Sequence, residues 1–219
     1  MATTSAGETW PERLAADVGV QIRRLRERPD WKMSAQTLAN VTAELGHEVP
    51  RSVLANMESG RRSSVPLVDV LVLAEALRVP PALIVFGLGD GATAEALPGQ
   101  QIATPDAVRW WNGERGPLLP VVDKGRVSDV TRTRAERATY EVLDMYRGHW
   151  QLIDEIRSTT AWIRRSTSKP RWERQREYAE QELAELRGEM LERGLILPAL
   201  DDDIELPEPP KGTRRGRRK

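Results

Sequence analysis

Residues 49–62, VPRSVLANMESGRR, put Arg51, Ser52, Ala55 and Ser59 on one side of a short helical pattern and Leu54 and Met57 on the other. A guanidinium and hydroxyls carried outward in this way donate hydrogen bonds to acceptors; the set holds no nucleophile with an adjacent base. Pro50 precedes the pattern, Gly60 supplies the left-handed residue that ends it, and Arg61 and Arg62 follow. The arrangement suits a helix whose N-terminal end is offered to a negatively charged, acceptor-rich ligand. Duplex DNA is such a ligand, because only the exposed end of a recognition helix enters the major groove while the opposite face stays apolar.

Bond-making chemistry finds little to work with. The chain has no Cys, two His (His47 and His149) far apart in sequence, no Gly-rich phosphate loop and no paired carboxylates in a recognisable frame. The expectation is a non-enzymatic protein with no cofactor and no metal. The formal net charge of zero argues at first against a polyanion, yet the charge is unevenly spread. Arg23, Arg24, Arg26 and Arg28 form one basic run and residues 211–219 another, with Lys211, Arg214, Arg215, Arg217, Arg218 and Lys219, while Asp201, Asp202, Asp203, Glu205 and Glu208 balance them.

The elements that must position the 51–59 face read as an all-α arrangement. Leu14, Val18, Ile22 and Leu25 recur at helical spacing from Glu12 to Arg28, where Pro29 ends the first helix. Ser34 caps a second helix that stops at Gly46, and residues 51–59 are the third. A fourth starts near Pro66, and a fifth runs from Pro80–Pro81 to Gly87. No strand pattern and no internal repeat are visible.

In order and spacing, "VGVQIRRLRE", "MSAQTLA", "RSVLANMESGRR" and "LVLAEALRVPPALI" resemble the lambda-repressor-like, XRE family of helix-turn-helix transcription regulators, and "ESGRR" followed by "LAEALRVPP" resembles its actinobacterial members. The likeness covers residues 18–86 and implies a five-helix DNA-binding domain over 12–88. It puts base-reading residues at Arg51, Ser52, Ala55 and Asn56, and backbone contacts at Ser59, Arg61 and Arg62. The family often has Gln directly after the Ser that caps helix two; here Ala35 stands there and Gln36 follows, so Gln36 is the displaced helix-two candidate. The connection from Ala39 to Arg51 is also longer than in compact repressors. The resemblance further implies a structural ion pair between Arg26 and Glu58, since a half-buried carboxylate needs a partner and would repel phosphate.

Residues 89–127 read as a linker with a short helix around PDAVRWW, its Trp110 and Trp111 anchoring on a flanking domain. From 128 to 197 a C-terminal assembly region is expected. Ala135, Thr139, Val142, Tyr146, His149, Ile153, Ile156, Thr160 and Ile163 form a heptad seam, broadened by Met145, Trp150 and Leu152. Pro170 breaks the run before a second helix with Trp172, Ala179, Leu183, Leu186 and Met190 on one face. The pair folds back as a helical hairpin or zips as a coiled coil against another chain, giving a homodimer, or it encloses an effector or docks a protein partner. Residues 198–219, acidic and Pro-rich and then basic, are expected to be a mobile tail. Its RRGRR resembles the Arg-Gly-Arg core of AT-hook arms without the flanking prolines, and serves as an electrostatic arm or a solubilising end.

These readings converge on a cytoplasmic, sequence-specific DNA-binding transcription regulator with no membrane segment and no secretory signal. The alternative is a helical interaction scaffold or adaptor whose helix-turn-helix fold no longer binds DNA.

Overall fold

Thr9 opens the first helix by donating its backbone N–H and hydroxyl to Glu12 Oε2, at 2.7 and 2.8 Å. The computed structural model describes residues 8–116, 118, 121–123, 126–128, 134–165 and 169–207. The chain divides into two units, Met1–Thr131 and Arg132–Lys219.

In the first unit, α1 (Trp10–Arg26), α2 (Ala35–Glu44), α3 (Arg51–Glu58), α4 (Leu67–Leu77) and α5 (Pro81–Phe86) pack around one apolar core. The start and stop residues act locally. Ser34 Oγ accepts the Thr37 N–H at 3.0 Å to cap α2, while Gly46, Gly60 and Gly87 take the positive φ values that end α2, α3 and α5. Ile22, Leu38, Leu54, Met57, Leu73, Leu77 and Ile84 are fully buried, each contributing about 1.5–3 kcal/mol by leaving water.

Two strand pairs overturn the expectation of a strand-free chain. β1 (Thr93–Leu97) and β2 (Gln100–Ala103) form an antiparallel hairpin followed by α6 (Thr104–Trp111), and β3 (Val121–Asp123) pairs with β4 (Arg126–Ser128). Residues 93–111 are therefore not a free linker. Ala96 and Ala107 bury with Ala82 and Phe86, and Trp111 meets Phe86 edge to face at 5.7 Å. The segment is bonded to α1: Glu95 receives Arg13 Nε and Nη2 at 2.8 and 2.7 Å, and its backbone O receives Trp10 Nε1. Asp90 accepts Gln21 Nε2 at 2.8 Å and pairs with Arg24 Nη1 at 2.6 Å. These donors hold both carboxyls below the usual carboxylate range, Arg13 acting on Glu95, and Gln21 ahead of Arg24 on Asp90. Small residues at alternate strand positions gave the sequence no hydrophobic period to read, and the hydrogen-bonded docking groups lie 69 to 85 residues apart.

In the second unit, α7 (Arg134–Arg165) and α8 (Lys169–Glu192) fold back on each other as an antiparallel hairpin. Glu141 meets Arg193, His149 meets Arg187, Glu155 meets Gln175, and Trp162 stacks on Trp172. Among the described residues the buried positions of α7 are Met145, His149, Ile153, Ile156 and Thr159; Thr159 replaces the expected Thr160, and Trp150 is exposed. The seam's first two members, Ala135 and Thr139, have side chains outside the described residues. Residues 198–207, expected to belong to the tail, instead return along the hairpin. Leu200, Ile204 and Leu206 pack on Ile153, Ile156, Ala179 and Leu183, and Asp201 accepts Arg157 Nε and Nη2 at 2.7 and 2.9 Å. Apolar anchors spaced through that acidic stretch offset its ordering entropy. The basic stretch 211–219 lies outside the described residues.

Candidate nucleic-acid interface

Two turns of helix make the site, so what holds α3 from behind decides its geometry. Its apolar side, Leu54 and Met57, is fully buried. Directly behind Met57 stands Gly19 of α1: a Cβ there would lie 2.0 Å from the Met57 carbonyl oxygen, so the two backbones touch. Just past Met57, Glu58 accepts Arg26 Nε and Nη2, each at 2.8 Å, and Arg26 Nη1 donates to the Met33 carbonyl at 2.8 Å. One guanidinium thus ties the end of α3 to α1 and to the turn that leads into α2. The Glu58 hydrogen bonds raise the Arg26 pKa further, keeping the pair charged.

The long connection between α2 and α3 is clamped at three points. Thr42 Oγ donates to the Ala39 carbonyl at 2.8 Å and accepts the Val49 N–H at 3.0 Å, both inside the core. Val49 is buried, and His47 Nε2 lies 2.9 Å from Asp69 Oδ1 of α4. Extra residues in a turn do not loosen the following helix when their polar groups are satisfied this way.

The outward face then falls where those braces leave it. Arg51, Ser52, Ala55, Asn56 and Ser59 are all exposed, as are Gln36 and Arg61, and Arg62 is half-buried. Gln36 Nε2 donates to Asn40 Oδ1 at 2.9 Å along α2, and Ser59 Oγ donates to the Asn56 carbonyl at 3.3 Å. The Arg61 N–H returns to the Asn56 carbonyl at 3.0 Å and Gly60 turns with φ +68°, so the chain leaves α3 sharply and brings two arginines behind it. Pro50 caps α3 without a side-chain hydrogen bond, and its first-turn N–H groups carry the positive end of the helix dipole. Among the described residues, Arg51, Arg61 and Arg62 have no carboxylate partner. Glu44, at the end of α2, and Glu48, in the α2–α3 connection, are exposed.

The other basic run is used differently. Arg23 pairs with Glu27, Arg24 with Asp90 and Arg26 with Glu58, while Arg28 donates to the Leu77 carbonyl at 3.3 Å. Arg26 is a buried brace, Arg24 ties α1 to Asp90, and Arg23 and Glu27 form an exposed pair along α1, so the run is not a patch of unpartnered cations. Thr42, Gly19 and the His47–Asp69 contact escaped sequence reasoning. Only Gly19 carried a signal, as an isolated Gly inside an amphipathic helical pattern.

Residues 17–85 match the family model of a helix-turn-helix domain, a span that runs from within α1 to within α5 and contains the exposed α3 face. The match supports a helix-turn-helix DNA-binding regulator. No curated protein and no solved structure matches the chain. Among the described residues no helix is long and apolar enough to cross a membrane.

Proposed function

We propose that the chain is a sequence-specific DNA-binding transcription regulator of the XRE kind, reading the major groove with the N-terminal end of α3. The observation that carries this reading is the polar, exposed face of α3 on a helix locked from behind, inside the span that matches a helix-turn-helix domain. Arg51 forks onto guanine O6 and N7, Ser52 bonds a base or a phosphate, and Ala55 and Asn56 lie against neighbouring base edges. Ser59, Arg61 and Arg62 hold the phosphate backbone, and Gln36 meets it from the start of α2. The role is recognition without catalysis, in the cytoplasm, where the genome is accessible.

Two copies fit a two-fold operator whose half-sites lie about one helical turn, ~34 Å, apart. Leu143, Trp150 and Leu191, exposed on the α7–α8 hairpin, supply apolar surface for self-association or for a protein or effector partner. The test is selection of bound sites from a genomic fragment library by the full chain and by Arg51→Ala. The full chain should enrich one symmetric motif, and Arg51→Ala should lose discrimination at one base pair by about 1–3 kcal/mol. Absence of any enriched sequence with both proteins would replace this reading with that of a scaffold that has lost DNA binding.

A further inference from the structure

The end of the α7–α8 hairpin concentrates charge as no other described stretch does. Residues 161–176 contain six Lys and Arg against one acid, Glu173, and five of the six cations are Arg. Arg164, Arg165, Lys169, Arg171 and Arg174 are exposed and have no carboxylate partner among the described residues; Arg176 is bonded to Glu180 at 2.7 Å. Amid them Trp162 and Trp172 stack with ring centroids 5.6 Å apart and planes 15° from parallel, and the Arg171 guanidinium lies 5.2 Å over the Trp172 ring. Trp162 is 53 % exposed although Trp172 covers one of its faces. More than half of its surface is thus still open to water, which is costly for an indole with nothing further to stack on.

We propose that this tip binds single-stranded nucleic acid, with phosphates on its arginines and an unpaired base on the open face of Trp162. The site lies wholly within the second unit and does not rest on the helix-turn-helix reading. Flat cations interleaved with a flat aromatic surface match a ligand that alternates phosphate and base. Paired bases hide their faces in the duplex stack and would leave Trp162 unused. A membrane surface would call for several bulky aliphatic residues beside the indoles, whereas between Trp162 and Trp172 the sequence holds one, Ile163, against Arg164, Arg165, Lys169 and Arg171.

Fluorescence anisotropy of labelled oligo(dT) and oligo(U), each about 12 nucleotides, with the full chain tests the proposal. Trp162→Leu should weaken binding of both strands on the order of tenfold, and Trp162→Phe should restore most of it. The triple change Arg164→Ser, Arg165→Ser, Arg171→Ser should weaken binding and flatten its salt dependence. Arg51→Ala should leave strand binding unchanged, which separates this site from α3 whatever becomes of the operator test. Circular dichroism of each variant checks that the hairpin is intact. Wild-type affinity in folded Trp162→Leu would overturn the proposal, even if the arginine variant lost binding, because it would reduce the tip to an unspecific phosphate patch. Capture of the chain by phosphatidylserine vesicles with no strand binding would overturn it in favour of a membrane surface.

Discussion

Arg26 and His149 are both basic side chains buried in helical packing, and their surroundings treat them differently. In the first unit the Arg26 guanidinium meets a carboxylate through two hydrogen bonds and a backbone carbonyl through a third. In the second, His149 is fully buried against another cation: Arg187 Nη1 lies 2.8 Å from His149 Nε2. A guanidinium can only donate, so Nε2 is the acceptor and the ring's proton sits on Nδ1, which has no partner among the described residues. Burial and the neighbouring Arg187 charge, in that order, push the His149 pKa below its ordinary value. The first arrangement satisfies its buried cation with a carboxylate, whereas an imidazole held neutral beside a cation makes the hairpin's stability conditional on pH.

The largest expected effect comes from unmaking the ion pair. Glu58→Ala leaves the buried Arg26 with only the half-exposed Glu27 carboxylate, 3.0 Å from its Nη2, and should cost the first unit about 3 kcal/mol, read as a lower urea midpoint, with DNA binding lost only as a consequence. Unchanged unfolding together with lost binding would move Glu58 from brace to contact residue. Next comes Gly19→Ala, which drives a methyl into the Met57 carbonyl and should cost about 2–3 kcal/mol as α1 and α3 separate. Hydrogen exchange should report faster opening of α1 and α3 in this variant with α7 and α8 unaffected.

Acid should distinguish the units in the opposite direction. Unfolded chains take up a proton at an imidazole near pH 6.5, while native His149, with its lowered pKa, resists it. The contribution of His149 is therefore fully present above that pH and declines as pH falls toward the native value. Amides of α7 and α8 should exchange faster at pH 5.5 than at pH 7.5 after correction for intrinsic rates. His149→Gln keeps an acceptor for Arg187 and should flatten this dependence; an equally steep profile in that variant would assign it to other groups. The smallest effect is expected at the edge of the α3 face, where Glu48→Gln removes one exposed anion and should tighten binding to all duplex DNA by about twofold.

The five helices of the first unit could be read because each announces itself locally. Ser34, Gly46, Gly60 and Gly87 stop and start the chain, and Leu54 and Met57 show which side of α3 faces inward. Arg51, Ser52, Ala55, Asn56 and Ser59 then fall outward by helical geometry alone. The docked hairpin at 93–103 could not be read, since its attachment depends on Arg13 meeting Glu95 across eighty-two residues. Within the Arg23–Arg28 run, the Arg26–Glu58 pair that the family resemblance implies is present, whereas Arg24 is taken up by Asp90, a partner from a distant segment that nothing local announces. Residues 198–207 look like tail by composition, and only the groove between α7 and α8 gives Ile204 somewhere to bury.

The order of amino acids by itself determined where helices begin and end and which faces are apolar, because caps, glycine stops and the 3.6-residue period act within a few residues. Tertiary structure alone decided which charges remain free. A guanidinium is spent or available according to the carboxylate that long-range packing brings to it, and so Arg24 was taken up by Asp90 while Arg51 and most arginines of the hairpin tip stayed open to solvent.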